Sequence, residues 1–302
     1  MRRRSTLVTG GSGFIGSRLV RALLDEGASV TVADQREFPD PRVRTVTGDL
    51  TDPAVREAAV GEGTEVIVHL AAVTSVLRSV DDPAGTHRMN VEATAGLLEL
   101  ARLRGTGHFL LASTNAVTGD VGSRPISEDV PMRPLTPYGS TKAAAEMLLR
   151  GYSASYGLTG AALRFANVYG PGMAHRDSFV ARLMRAAATG EGVQIYGDGT
   201  QLRDHVHVDD VVQAIMLALR TGHDGPLVVG SGRSDSVNDL VAAVRTVTGA
   251  ALPASYVPAE RGEMPAVVLD ITAARTLGYA PRHTLESGLA TTWPDFAPEA
   301  VG

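Results

Sequence analysis

The sequence has no cysteine among its 302 residues, which removes disulfides, thiolate metal sites and a cysteine nucleophile from the functions open to it. No apolar run approaches the ~20 residues that cross a bilayer. Met1-Arg2-Arg3-Arg4 leads directly into a β-rich run instead of the apolar core of a secretion signal. The chain is therefore read as cytoplasmic, with no membrane partner. A basic stripe is also lacking: the net charge of −5 is spread along the sequence, which argues against a nucleic-acid surface. Lysine is almost absent. Of 28 Lys plus Arg, Lys142 is the only lysine. A position that keeps a compact ammonium where arginine serves everywhere else is a candidate for a task that a planar guanidinium cannot do.

What is present suits one large α/β unit or two closely joined lobes, since 44% hydrophobic content is normal for a globular core. Near the start, the apolar run Leu7-Val8-Thr9 enters Gly10-Gly11-Ser12-Gly13-Phe14-Ile15-Gly16. A strand running into a glycine turn that opens a helix makes a phosphate cradle. Gly10 permits the turn, Gly13 lets backbone approach a pyrophosphate, and Gly16 lets the helix lie on the strand with its N–H groups aimed at the anion. A second β-rich run, Ala28 to Asp34, ends in a carboxylate where a dinucleotide fold reads the ribose. Asp34 would accept from a 2′-hydroxyl and repel a 2′-phosphate, so NAD is expected over NADP, with Arg36 as the contrary sign.

Further along, Val43 to Thr47 reads as a strand closed by Gly48-Asp49-Leu50. At a strand's carboxyl end, Asp49 either accepts from an adenine amino group or caps its own turn. Pro53 to about Val60 reads as a helix. Glu65 to Ala72 reads as a buried strand ending in the small residues Ala71 and Ala72, which let a cofactor approach the backbone. His69 within it reads as a satisfied structural histidine. A helix is expected from about Pro83 to Arg104, then a central strand, His108 to Thr114, that delivers Ser113 and Thr114 to the crevice.

The most informative stretch is Thr136-Pro137-Tyr138-Gly139-Ser140-Thr141-Lys142. Thr136 is a helix N-cap with Pro137 in the first turn, which places Tyr138 and Lys142 four apart on one face. A phenol is a poor base near neutral pH and needs a neighbouring cation to ionise, which Lys142 is expected to provide while also holding the nicotinamide ribose. Thr114 would hydrogen-bond a substrate alcohol while Tyr138 takes its proton, with Ser113 as stand-in. Beyond the strand Thr159 to Arg164, the sequence leaves regular alternation over Phe165-Ala166-Asn167-Val168-Tyr169-Gly170-Pro171-Gly172, where a substrate lobe is expected to begin. Ser178 to Thr189 is read as a helix and Val193 to Tyr196 as a strand. Val206 to Val208, Asp209 to Arg220 and Pro226 to Val229 are read as a strand, helix and strand crossing back to the first lobe. The helices of the smaller lobe fall within Ser236 to Gly249 and Thr272 to Trp293.

As a set these segments resemble the extended short-chain dehydrogenases/reductases, specifically the NAD-dependent sugar-nucleotide epimerase/dehydratase group. The resemblance runs from the Gly10–Gly16 loop through Asp49-Leu50, His69-Leu70-Ala71-Ala72, Ser113-Thr114, Tyr138 to Lys142 and Arg164-Phe165-Ala166-Asn167 to Gly197–Asp210. It implies an α/β fold, a doubly wound parallel sheet (Rossmann) with a smaller C-terminal substrate-binding lobe. Residues 1–165, with 205–230 crossing back, would bind NAD, and 166–302 would mainly form the substrate lobe. Thr114, Tyr138 and Lys142 would be catalytic. Gly10, Gly13, Phe14, Ile15, Gly16, Asp34, Asp49, Leu50, Leu70, Ala71, Ala72, Ser113, Tyr138 and Lys142 would hold the cofactor.

The family's counterpart of Arg203 clamps the nucleotide diphosphate, a role that suits a guanidinium fork; pairing with a nearby aspartate in a buried network is the other reading. Thr114, Asn167, Arg203 and Arg261 would contact a UDP- or dTDP-linked sugar. Two departures stand out. Dehydratase and decarboxylase relatives carry acidic residues after the threonine, whereas Asn115 and Ala116 stand here and transfer no proton. Arg261 lies one place later than the family's second phosphate contact, with Glu260 in the customary slot. The reading is an NAD-dependent sugar-nucleotide 4-epimerase without a metal, the alternatives being a dehydrogenase or ketoreductase of a related sugar or sugar acid, a 4,6-dehydratase or decarboxylase, or a non-catalytic dinucleotide binder. By the same resemblance the protein is a homodimer, packed through helices around 89–104 and 141–156.

Overall fold

The structure is a computed structural model that describes residues 4–258 and 264–297. Its framework is a seven-stranded parallel sheet built from Ser5–Thr9 (β1), Ser29–Asp34 (β2), Arg44–Thr47 (β3), Val66–His69 (β4), His108–Thr114 (β5), Thr159–Phe165 (β6) and a later strand. Strands covered on both faces by helices read as continuous apolar runs, and every residue of β4 is buried accordingly. Helices Phe14–Asp25 (α1), Pro53–Ala59 (α2), Val76–Asp81 (α3), Pro83–His87 (α4), Ala93–Leu103 (α5) and Pro137–Tyr156 (α6) connect them. Alternate side chains of the strands enter two apolar layers. One holds Val8, Val32, Val68 and Leu163, and the other Leu7, Ile67, Phe109 and Leu111.

The remaining strands are Asn167–Tyr169 (β7), Val193–Tyr196 (β8), Leu202–Arg203 (β9), His205–His207 (β10), Gly225–Val229 (β11), Asp235–Ser236 (β12) and Ala254–Val257 (β13). The helices with them are Phe179–Thr189 (α7), Val208–Thr221 (α8), Val237–Thr248 (α9), Thr272–Thr276 (α10) and Leu285–Thr292 (α11). The large sheet has the order β11-β6-β5-β4-β1-β2-β3. The chain winds outward to β3 on one side and through β4, β5 and β6 on the other. The carboxyl ends of β1 and β4 therefore flank the reversal point, where a ligand crevice opens. Around α7, α9 and α11 a third apolar layer forms on Tyr169, Met184, Leu240 and Leu289, giving the smaller C-terminal lobe its core.

Three expectations change. Residues 83–104 are interrupted: α4 gives way to a widened turn over Arg88–Glu92 before α5 begins. The widening serves Asn90, whose amide accepts from Val73 N–H at 2.8 Å and donates to the Val73 carbonyl and the Thr141 hydroxyl at 3.0 Å each. The helix α3, not anticipated, precedes it and is separated from α4 by Asp82, which caps α4 by accepting from Gly85 N–H. Finally, β10 does not join the large sheet. It pairs with β7, and the strand that returns beside β6 is β11. The turn after β10 is stapled to the C-terminal segment: the His207 ring stacks 3.8 Å from His283, and buried Asp210 accepts from the Arg282 and His283 main chain.

Candidate active site

The glycine turn is built backbone on backbone. Gly10 has φ +70°, and a Cβ there would stand 2.8 Å from Ala71 N; one on Gly16 would stand 2.1 Å from the Gly10 carbonyl. Alanine 71 thus closes on the turn as expected of a small residue at the end of β4. The first turn of α1 has neither a side-chain cap nor an acidic residue, so its N–H groups and positive dipole end are left for an external anion. That arrangement fits a dinucleotide pyrophosphate. At the end of β2, Asp34 accepts from Ser12 N–H (3.0 Å) and Arg36 N–H (3.1 Å), which anchors its carboxylate beside the turn. Arg36 donates to the Ser12 carbonyl at 2.7 Å.

Asp49 makes its own turn, accepting from the main chain and hydroxyl of Thr51 at 2.8 Å each, while its second oxygen stays at the crevice edge 3.5 Å from Gln35. The capping and ligand roles are therefore compatible, because they use different oxygens. Leu50 is buried in the layer beneath, and Leu70 packs partly buried against the opposite one. His69 is satisfied on both ring nitrogens, 2.6 Å from Thr9 Oγ1 and 3.0 Å from Thr94 Oγ1. Burial pulls its pKa down to about 3, so it stays neutral.

Helix α6 begins as its sequence dictates: Thr136 accepts from Gly139 N–H at 3.1 Å and Pro137 occupies the first turn. The Tyr138 main chain is fixed twice more, its N–H donating to Ser79 of α3 and its carbonyl accepting from Thr141. The phenol lies beside the Thr114 hydroxyl at the end of β5, near enough to feel it. Burial raises the Tyr138 pKa, while the Thr114 hydroxyl and the charge of Arg176 pull it down.

Lys142 has a main-chain partner that its spacing does not announce. Its ammonium donates to the Ala112 carbonyl at 2.9 Å, fully enclosed, and burial lowers its pKa to about 8 against the upward push of Glu146. An ammonium has three donors, so one carbonyl leaves two for a ligand such as a ribose. A second cation, Arg176, acts on the phenol from the segment between β7 and α7, where its guanidinium carbon lies 5.3 Å from the Phe14 ring centre. No periodicity or spacing marks that position in the sequence.

Ser113 is also corrected. Neighbouring strand residues face opposite ways, so while Thr114 meets Tyr138, the Ser113 hydroxyl turns inward and donates to Glu146. Glu146 is paired with Arg164 at 2.9 Å, with side chains 4% and 3% exposed, and Arg164 also donates to the Glu128 carbonyl at 3.1 Å. Glu146 follows Lys142 by one helical turn, a spacing that was available in the sequence. Its partner on β6 was not.

The nucleotide-side candidates lie apart from this cluster. Asn167 is exposed on β7, and Arg203, on the antiparallel pair β9–β12, donates to the Leu202 carbonyl at 2.8 Å. Arg261 lies outside the described residues. Next to Arg203, Asp204 is buried and accepts from the main chain of Ser231 and Gly232.

Comparison with known proteins agrees with this geometry. Residues 6–230 match the model of the NAD dependent epimerase/dehydratase family. A UDP-glucose 4-epimerase of Mycolicibacterium smegmatis is 37% identical over 95% of this chain and 96% of its own. The structure of a UDP-glucose 4-epimerase from Thermotoga maritima with UDP-glucose superposes with a TM-score of 0.92 at 35% identity, covering 97% of this chain and 98% of that one. MoeE5 in complex with UDP-glucuronic acid and NAD superposes at 0.87 with 39% identity, covering 96% and 98%. The chain belongs to the NAD dependent epimerase/dehydratase family and is an NAD-dependent enzyme of the extended short-chain dehydrogenase/reductase class.

Proposed function

We propose that the protein is a nucleotide-sugar 4-epimerase, and the observation that carries this reading is the placement of Tyr138, in the first turn of α6, beside Thr114 at the carboxyl end of β5, with Lys142 one turn further on. Thr114 orients the C4 hydroxyl of the sugar, and Tyr138 accepts its proton. Bound NAD supplies the reversible two-electron oxidation of that carbon. Tyr138 then returns the proton to the C4 oxygen once the sugar has presented its other face. Lys142, held by the Ala112 carbonyl, fixes the cofactor's ribose beside the phenol with its remaining donors.

Residues 1–165 with 205–230 hold the cofactor and most of the remainder holds a UDP- or dTDP-linked sugar, with Asn167, Arg203 and Arg261 on the nucleotide diphosphate. Water elimination is disfavoured because Asn115 and Ala116, in the short turn following Thr114, provide no acid or base at the far end of the sugar. A homodimer through α5 and α6 is supported by the exposed Leu103, Met147 and Tyr156 on those helices. Among the described residues no helix is long and apolar enough to cross a membrane.

The test is proton NMR of UDP-glucose or UDP-galactose incubated with the purified protein and no added cofactor. The reading expects conversion to the C4 epimer without net NADH. Steady NADH accumulation with an equal amount of oxidised sugar would make the protein a dehydrogenase instead.

A further inference from the structure

Arg176 stands over Phe14 at the opening of α1, within the electrostatic reach of Tyr138, and pairs with no acidic side chain among the described residues. The main chain beneath it is held firmly: its N–H donates to the Met173 carbonyl at 2.8 Å, and Arg185 donates to the carbonyls of Ala174 and Arg176 at 2.9 and 3.1 Å. From that base the guanidinium reaches over the Phe14 ring, 5.3 Å from its centre. The nearby acids are engaged elsewhere. Asp177 faces Arg182 at 3.9 Å, and Asp295 accepts from Gly172 N–H. Burial lowers the Arg176 pKa, and Tyr138 is the group that offsets it. A ring face attracts a cation only weakly and satisfies none of the five N–H donors of a guanidinium. Arg176 is half-buried, and partial withdrawal of such a group from water without an anion is costly, so the anion is expected to arrive with a ligand.

Tyr138 tells which part of the ligand that is. In the epimerase reading the phenol serves the C4 hydroxyl, and the substituent nearest C4 that can carry charge is C6, borne on the neighbouring ring carbon. The nucleotide diphosphate leaves from C1, on the opposite side of the ring. The cofactor's own diphosphate is the competing anion, since Phe14 opens α1, but the uncapped N–H groups of that helix already supply its donors. We infer that Arg176 holds the C6 carboxylate of the sugar as a two-pronged ion pair, so that the substrate class is a nucleotide-linked hexuronic acid in preference to a neutral hexose. The inference rests on the 4-epimerase reading for the placement of C4.

The experiment compares UDP-glucuronic acid with UDP-glucose on the NAD-loaded protein, by titration calorimetry and by turnover, for the wild type, Arg176→Gln and Arg176→Lys. Charge-assisted pairing predicts that the wild type prefers the uronic acid by roughly ten- to a hundredfold in kcat/KM and in affinity. Arg176→Gln should collapse that ratio toward unity, chiefly through KM, while melting temperature and bound NAD hold. Arg176→Lys, which keeps charge but loses the fork, should fall between. Equal losses on both sugars would overturn the inference and assign the cation to Tyr138, and loss of NAD with the sugar preference intact would assign it to the cofactor. A wild type that epimerises UDP-glucose and rejects UDP-glucuronic acid sinks the inference and leaves the epimerase reading standing. If neither sugar is turned over, the epimerase reading fails, and the affinity ratio in wild type against Arg176→Gln still decides whether a carboxylate is bound there.

Discussion

Tyr138 and Lys142 stand one turn apart on α6 and live in different surroundings. The phenol lies in the first turn of the helix, beside the end of β5 and within the influence of Thr114 and Arg176. The ammonium lies under the sheet against the Ala112 carbonyl, and its nearest countercharge is a carboxylate already committed to Arg164. The helix thus separates two tasks that the spacing of its residues suggests are shared. In the proposed reading its first turn offers a proton-transfer group to substrate, while its second and third turns carry the buried charges of Lys142 and Glu146. Activity should answer to changes at the first and stability to changes at the others.

The largest expected effect breaks the first side. Tyr138→Phe removes one hydroxyl and none of the main-chain bonds that fix the residue, so kcat should fall by about 10²–10⁴-fold with thermal unfolding unchanged. A comparable fall in melting temperature would mean that the phenol is structural. On the other side, Glu146→Gln leaves Arg164 buried without its carboxylate and should cost about 3–5 kcal/mol in denaturant unfolding. Adding Arg164→Met should recover much of that loss. If Glu146→Gln instead left stability intact and reduced only turnover, the division between the two ends of α6 would not hold.

Lys142 is where the two sides meet, and pH separates its effects. Its pKa falls from an ordinary 10.5 to about 8 on folding. If that charge serves the cofactor as proposed, it is present below about pH 8 and lost as pH rises through it, and kcat should decline on that limb. Stability moves the other way: between about 8 and 10.5 the unfolded chain binds the extra proton, and burial of the ammonium becomes less costly as pH rises. Lys142→Arg keeps the charge at all these pH values, so it should abolish the alkaline limb. It should also lower the plateau, because a planar fork does not fit a slot shaped for an ammonium. Retention of the limb in that variant would assign it to another group.

The parts legible in the sequence were those set by neighbours in the chain. The Gly10–Gly16 turn, the Thr136 cap and the phase of Tyr138 against Lys142 follow from local backbone geometry. His69 read as structural because a histidine inside a continuous apolar strand has to be satisfied in place. What was not legible depends on residues far apart in the chain. Arg176 reaches Tyr138 from 38 positions away, and Glu146 meets Arg164 only because α6 packs across β6. The wrong side of Ser113 was avoidable, since Ser113 and Thr114 are adjacent on a strand and cannot both face the crevice. The interruption at Arg88–Glu92 was hidden because Asn90 is ordered by the Val73 loop and Thr141, neither of which is near it in sequence.

The central claim is that a hydrogen leaves C4 and returns to it within one closed site, with Tyr138 moving only the hydroxyl proton. Sugar nucleotide deuterated at C4 tests this most directly, with product examined by NMR in ordinary water and no added cofactor. The account predicts that the epimer forms with the deuterium still at C4. Deuterium lost to solvent, or found in released NADH, would contradict it.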